Sequence, residues 1–278
     1  MRFTHRYALA VLLALPFVYF GMLLATAVHE FIGHGLVTLA VGGSFTGVQL
    51  QFDGSGCAWF AFEPRRAEPW KLIAIRLGGV VSTIVVGLIL LILSFRTRRS
   101  PCLALPLVAL AANHLLEGPP YLFWNALHPL PPGDIGPIVA TRPPARAACI
   151  AVGGTLMLAT IWLCTALVLW VAESWLNDGQ RLEGRRRLAL LATIAGLGGA
   201  AWFVGDWDQL APGLGIWPSL VGLLLHVLAA ASLWRTRWHL DPVPFSVRNA
   251  LTSLAAGWGM ATAAVLVIAL WLRDGLYW

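Results

Sequence analysis

Residues 22–41 read MLLATAVHEFIGHGLVTLAV, and this stretch decides the fold. It lies inside an apolar run from about Tyr7 to Val41. About 20 apolar residues suffice to cross a bilayer as a helix, so the run predicts a membrane span. His29, Glu30 and His34 interrupt it. A charged side chain at mid-bilayer costs about 2.5–3.5 kcal/mol on the insertion scale, so a cluster of such groups marks a functional site. A His-Glu pair followed by a second His on one helix is a zinc-binding pattern. The imidazoles act as ligands and the glutamate handles an attacking water.

The spacing is unusual. Ligands at i and i+4 lie about 40° apart on an α-helix, whereas His29 and His34 are at i and i+5, about 140° apart. Two nitrogens cannot reach one zinc from such opposed faces, because each bond is only about 2.0–2.1 Å. A π-bulge inserts one residue and brings them together, and Gly33 eases that distortion. Two other readings stay open. Glu30 and His34 can be the ligand pair with His29 behind them, or the three can form a polar patch between helices without metal.

The chain has 278 residues, of which 58% are hydrophobic and 12% charged. Its mean hydropathy is +0.75. This composition predicts an all-α polytopic membrane protein and excludes a soluble globular one. Apolar runs at about 7–41, 72–95, 102–117, 147–172, 188–205, 214–234 and 250–272 predict about seven transmembrane helices. Cys57, Cys102, Cys149 and Cys164 have no metal-site spacing and predict no disulfide framework. Trp70, Trp175, Trp202, Trp207, Trp217, Trp234, Trp238 and Trp278 lie near span ends, as an interfacial belt requires.

The net charge of +6 comes from short basic loops, so it does not point to nucleic acid. Arg2 and Arg6, Arg96, Arg98 and Arg99, Arg181 and Arg185–Arg187, and Arg235, Arg237 and Arg248 mark one side of the membrane. Residues 205–215 carry no Lys or Arg. The positive-inside rule then places the N-terminus in the cytoplasm. Ala25-Thr26-Ala27 imitates a signal-peptide cleavage site, but the apolar run continues past His34, so cleavage is not expected.

After Gly42-Gly43 the period changes to two: Val48, Leu50 and Phe52 alternate with Gly47, Gln49 and Gln51. Asp53-Gly54-Ser55-Gly56 is a turn signal, and Cys57–Phe62 is a second apolar run. A small β-hairpin is expected directly after the first helix, with an irregular loop as the alternative. An exposed strand edge at Phe45–Phe52 is expected to accept an extended peptide. Leu77-Gly78-Gly79 opens the second span with small residues that allow close helix approach. Residues 117–144 hold eight of the 17 prolines and are not expected to form one helix. That segment contains Asn125, His128, Pro129 and Asp134. The expected division is a catalytic membrane core at 1–176 and scaffold helices at 177–278.

The order of these elements resembles the site-2 protease family of intramembrane zinc metallopeptidases, especially its compact bacterial branch. The resemblance runs over about residues 20–140. It rests on His29…His34, the Gly42–Phe62 hairpin, the Gly78–Leu93 span, and Asn125…Pro129…Asp134. The histidine motif is one residue longer than the family's, as is Asn125 to Pro129, and Gly133-Asp134-Ile135-Gly136 replaces Leu-Asp-Gly. A six-residue HExxxH zinc motif occurs in the dipeptidyl-peptidase III family.

The resemblance implies a zinc endopeptidase with one zinc ion, cutting membrane-anchored protein substrates within the bilayer of a bacterial cytoplasmic membrane. His29, His34 and Asp134 are then metal ligands and Glu30 the catalytic base. Asn125 is a substrate-binding residue in this reading, or otherwise a helix or turn cap. Asp134 can equally be a turn aspartate. His114, Glu117 and His128 are alternative ligands, and His114 and Glu117 share a helix face from which they could instead orient a ligand. Two other functional classes fit: an inactive relative that binds or chaperones membrane proteins, and an ion- or proton-coupled transporter.

Overall fold

The computed structural model describes residues 3–63, 68–128, 134–140, 142–176, 182–204, 216–236 and 246–278. Residues 205–215 with Asp206, Trp207 and Asp208, residues 129–133, and Arg2, Arg181, Arg237 and Trp238 lie outside them.

Every expected apolar run forms a helix. Helix α1 spans Phe3–Ala27 and passes into a π-helix at Val28–Leu36, followed by α2 at Val37–Ala40. Then come α3 (Pro69–Arg96), α4 (Pro101–Leu127), α5 (Gly136–Val139), α6 (Pro143–Leu176) and α7 (Gly184–Val204). Helices α8 (Trp217–Leu233) and α9 (Val247–Val267) follow among the described residues, and α9 ends in a π-turn at Ile268–Leu272. Five segments are long and apolar enough to cross a membrane: His5–Ala40, Pro69–Arg96, Cys102–Leu127, Pro143–Leu176 and Arg248–Leu272. Helix α8 has 17 residues, and α7 opens on three arginines. The protein is thus a polytopic, mainly helical integral membrane protein with one small sheet.

Strand β1 (Ser44–Leu50) pairs antiparallel with β2 (Gly56–Ala61), with Val48 opposite Ala58 and a register shift between Phe45 and Gly47. The turn closes as its residues dictate. Asp53 accepts hydrogen bonds from the Ser55 amide and hydroxyl, and Gly54 takes φ +83°. The hairpin folds back along α1, where Tyr19 donates to the Phe52 carbonyl and Thr26 to that of Gly54. Val48 and Leu50 are buried against Leu23, Ile268 and Leu272.

Three expectations are corrected. The outer edge of β1 is not open: β3 (Leu276–Tyr277) pairs with it, giving the order β2-β1-β3. Helix α4 does not stop near Glu117 but runs through Pro119 and Pro120 to Leu127. Each proline gives up one i→i−4 bond, yet α4 is held between α3 and α6. On one side Gly118 lies against Thr83 and Val80, and on the other Gly153 lies against the Pro119 carbonyl. Finally, Trp175 is 1% exposed and belongs to the packing of α1, α4 and α6, whereas Trp70, Trp217 and Trp278 are exposed as a belt requires. All four cysteines are free.

Candidate metal centre

The extra residue between His29 and His34 is absorbed by the π-helix, in which i→i+5 hydrogen bonds bring residues five apart onto one face. That face is buried and carries Val28, His29, Glu30, Gly33, His34 and Gly35. It meets α3 through glycines. A Cβ on Gly78 would strike the Gly33 carbonyl, one on Gly33 the backbone of Gly79, and one on Gly79 the His29 imidazole. The small-residue opening of this span therefore sets the distance between the π-helix and α3.

The two rings stand 4.8 Å apart between centroids, at 72°. His34 Nδ1 lies 2.8 Å from the Ile75 carbonyl oxygen. A carbonyl only accepts, so Nδ1 carries a proton, and Nε2 is the nitrogen that can give up its own proton to bind a metal. That Nε2 is 3.0 Å from Asp134 Oδ2, and His29 Nε2 is 3.3 Å from the same oxygen. On the opposite side of its ring, His29 Nδ1 is 3.3 Å from Glu117 Oε1. Glu30 is 7% exposed, and it, His29 and His34 each offer a ligand atom within 4.8 Å of the others, so the cluster can hold a metal ion. Gly56 of β2 presses on this glutamate: a Cβ there would sit 3.0 Å from Glu30 Cγ.

Asp134 reaches the histidines because its segment is tied at several points. Its amide donates to Tyr121 Oη at 3.0 Å, and Arg76 Nη1 donates to its carbonyl at 3.3 Å. The Gly136 amide donates to Asn125 Oδ1 at 2.6 Å. Burial alone would push the Asp134 carboxyl up, but its hydrogen bonds to His29 and His34 outweigh burial and hold it below the ordinary carboxylate range.

The sequence candidates thus divide. His29, Glu30, His34, Asp134 and Glu117 come together. Asn125 is fully buried, and its Oδ1 accepts from the Gly136 amide. His114 is also fully buried, and its Nδ1 lies 2.8 Å from the Leu110 carbonyl of its own helix. His128 closes α4 as its C-cap residue and makes no ion pair with the cluster among the described residues.

Sequence reading missed Tyr121 and Arg76. Tyr121 falls midway between Glu117 and Asn125 at four-residue spacing, and its ring lies 5.5 Å from that of His29. Arg76 is a charge inside an apolar helix, a signal that by itself points to function.

Residues 4–121 match the family model described as Peptidase M50B-like. No curated protein and no solved structure matches the chain. The matched segment holds His29, Glu30, His34, the hairpin, Glu117 and Tyr121, and ends before Asn125 and Asp134. Over these residues the chain is similar to the M50B-like peptidases, the group to which the site-2 proteases belong.

Proposed function

We propose that this protein is an intramembrane zinc metalloendopeptidase that hydrolyses peptide bonds of membrane-anchored proteins. The observation that carries the reading is the convergence of His29 Nε2 and His34 Nε2 on Asp134 Oδ2, with Glu30 beside them, in a chain built of membrane-length helices.

The donor set fits zinc. Two imidazoles and a carboxylate are ordinary ligands, and a fourth position stays open for water. Ligand atoms about 2.0–2.1 Å from a tetrahedral zinc stand about 3.3 Å apart, close to the separations of these nitrogens from Asp134. Glu30, Glu117 and Asp134 put three carboxyl groups around the two imidazoles, a donor set that suits a divalent cation.

When bound, zinc lowers the pKa of its water towards about 7 and polarises the scissile carbonyl. Glu30 takes the water proton and returns it to the leaving amine, work that contributes about 10²–10⁴ in rate. His29, His34 and Asp134 would hold the ion. Tyr121, Arg76 and Asn125 hold the segment that carries Asp134. A substrate helix must unwind before attack, and an edge strand can hold it extended. With the outer edge of β1 taken by β3, that edge is β2, whose first residue, Gly56, touches Glu30. Residues 1–176 form the catalytic core and 177–278 its scaffold. The charge bias supports a cytoplasmic N-terminus, and the resemblance supports a bacterial cytoplasmic membrane.

The test uses purified protein in detergent. Stoichiometric zinc and cleavage of a helical membrane substrate are expected. Zinc without cleavage would favour the non-proteolytic binder. Ion flux in liposomes without zinc would favour the transporter.

A further inference from the structure

We infer that Glu117 is a positioning residue for His29: it accepts the Nδ1 proton and fixes Nε2 as the atom that faces the metal. This deepens the metal-site reading and rests on it.

The argument starts from a contrast between the two histidines. His34 has its Nδ1 satisfied by a backbone carbonyl of α3, so its tautomer is set by the scaffold. His29 has no such carbonyl. Its Nδ1 is buried and has no hydrogen-bond partner among the described residues. Glu117 Oε1 lies beside it, at 3.3 Å. Nε2 faces Asp134 Oδ2 at the same distance, so with a metal on Nε2 the ring proton is confined to Nδ1, where a buried N–H left unsatisfied costs about 1–3 kcal/mol and Glu117 is the acceptor beside it. An ionised carboxylate only accepts, so its proximity favours the Nδ1–H tautomer and leaves the Nε2 lone pair directed at the centre. A carboxylate behind a ligating imidazole also makes the imidazole more basic than a carbonyl does.

Placement supports the same role. Glu117, Tyr121 and Asn125 recur every four residues and share one face of α4. Each holds a different part of the site: Glu117 the ring of His29, Tyr121 the Asp134 amide, and Asn125 the Gly136 amide. One rigid helix therefore sets the position of His29, on the π-helix, relative to Asp134, more than a hundred residues further along the chain. The contact with Glu117 lies on the ring nitrogen turned away from Asp134, so Glu117 is placed behind the ligand and not in the open coordination position.

The test measures zinc affinity by chelator competition and the visible spectrum of the cobalt-substituted protein, for wild type, Glu117→Gln, Glu117→Ala and His34→Ala. Glu117→Gln is isosteric and keeps a neutral acceptor. The expected order is wild type, then Glu117→Gln, then Glu117→Ala. The alanine variant should bind zinc about 10–100-fold more weakly, with a cobalt spectrum that still reports four-coordination. If both variants bind zinc within twofold of wild type, Glu117 does not position His29. If Glu117→Gln loses zinc as fully as His34→Ala and the cobalt spectrum changes coordination, Glu117 is a ligand. If wild type itself holds no zinc, the metal-site reading fails and the positioning role falls with it.

Discussion

Gly79 of α3 faces the imidazole of His29 so closely that a methyl group at position 79 would overlap Nε2. The same interface allows no side chain at Gly33 or Gly78. At Gly33 and Gly78 the obstructing atoms are backbone, whereas at Gly79 they are the His29 ring itself, so in a close-packed site a methyl group there acts directly on the ring. Gly79→Ala should therefore displace His29 and lower zinc content as far as His29→Ala does. Gly259→Ala is the control. Nothing lies within 4 Å of its Cβ position, and alanine is the better helix former by about 1 kcal/mol. Metal analysis of the two purified variants separates a site effect from a general loss of glycine. Full zinc in Gly79→Ala would refute the packing argument.

Glu30 and His34 should separate chemistry from binding. Glu30→Gln keeps shape and a hydrogen-bonding group but removes the base. Zinc content should stay nearly unchanged while turnover falls about a hundredfold or more. His34→Ala should lose both, because a site with three protein ligands cannot spare one. If Glu30→Gln loses its zinc as His34→Ala does, Glu30 is a ligand and the other triad, His29-Glu30-His34, holds the ion.

Asn125 should act through the backbone of the Asp134 segment. Asn125→Ala leaves the Gly136 amide without its acceptor, a cost of about 1–3 kcal/mol for a buried donor. Weaker zinc binding with an intact fold is expected, and Asn125→Asp, which restores the acceptor, should recover most of it. If Asn125→Asp is as impaired as Asn125→Ala, the amide and not the oxygen of Asn125 matters, and a direct contact with substrate becomes the better reading.

The difference between what sequence reveals and what it hides follows from the range of each interaction. His29, Glu30 and His34 stand out because polar groups in an apolar run are expensive. The need for a bulge follows from helix geometry alone. The hairpin shows because alternation is local to Val48, Leu50 and Phe52. Strand β3 does not show, because two residues carry no period, and its pairing with Gly47 and Val48 joins opposite ends of the chain. The length of α4 was hidden for a related reason. Pro119 and Pro120 read locally as breakers, and the helices that hold α4 on both sides are set by tertiary packing. Tyr121 was hidden by its type, since an aromatic in an apolar helix ordinarily packs.

Position 47 offers a test of which strand edge would receive a substrate. A Cβ on Gly47 would lie 2.8 Å from the Leu276 carbonyl oxygen and from the Tyr277 ring, but 3.4 Å from the Trp59 ring on the β2 side. Gly47→Ala should therefore push β3 off β1 while leaving the hairpin closed. Hydrogen exchange should quicken at the outer edge of β1, at Thr46 and Val48, with little change across β2. Zinc content should not move, because Gly47 touches none of the clustered groups. If substrates add to β2, cleavage should stay within a few fold of wild type. If they add to β1, Leu276–Tyr277 is in their way, and clearing it should raise cleavage. A marked rise would move the docking edge to β1 and make β3 a cover that substrates must displace.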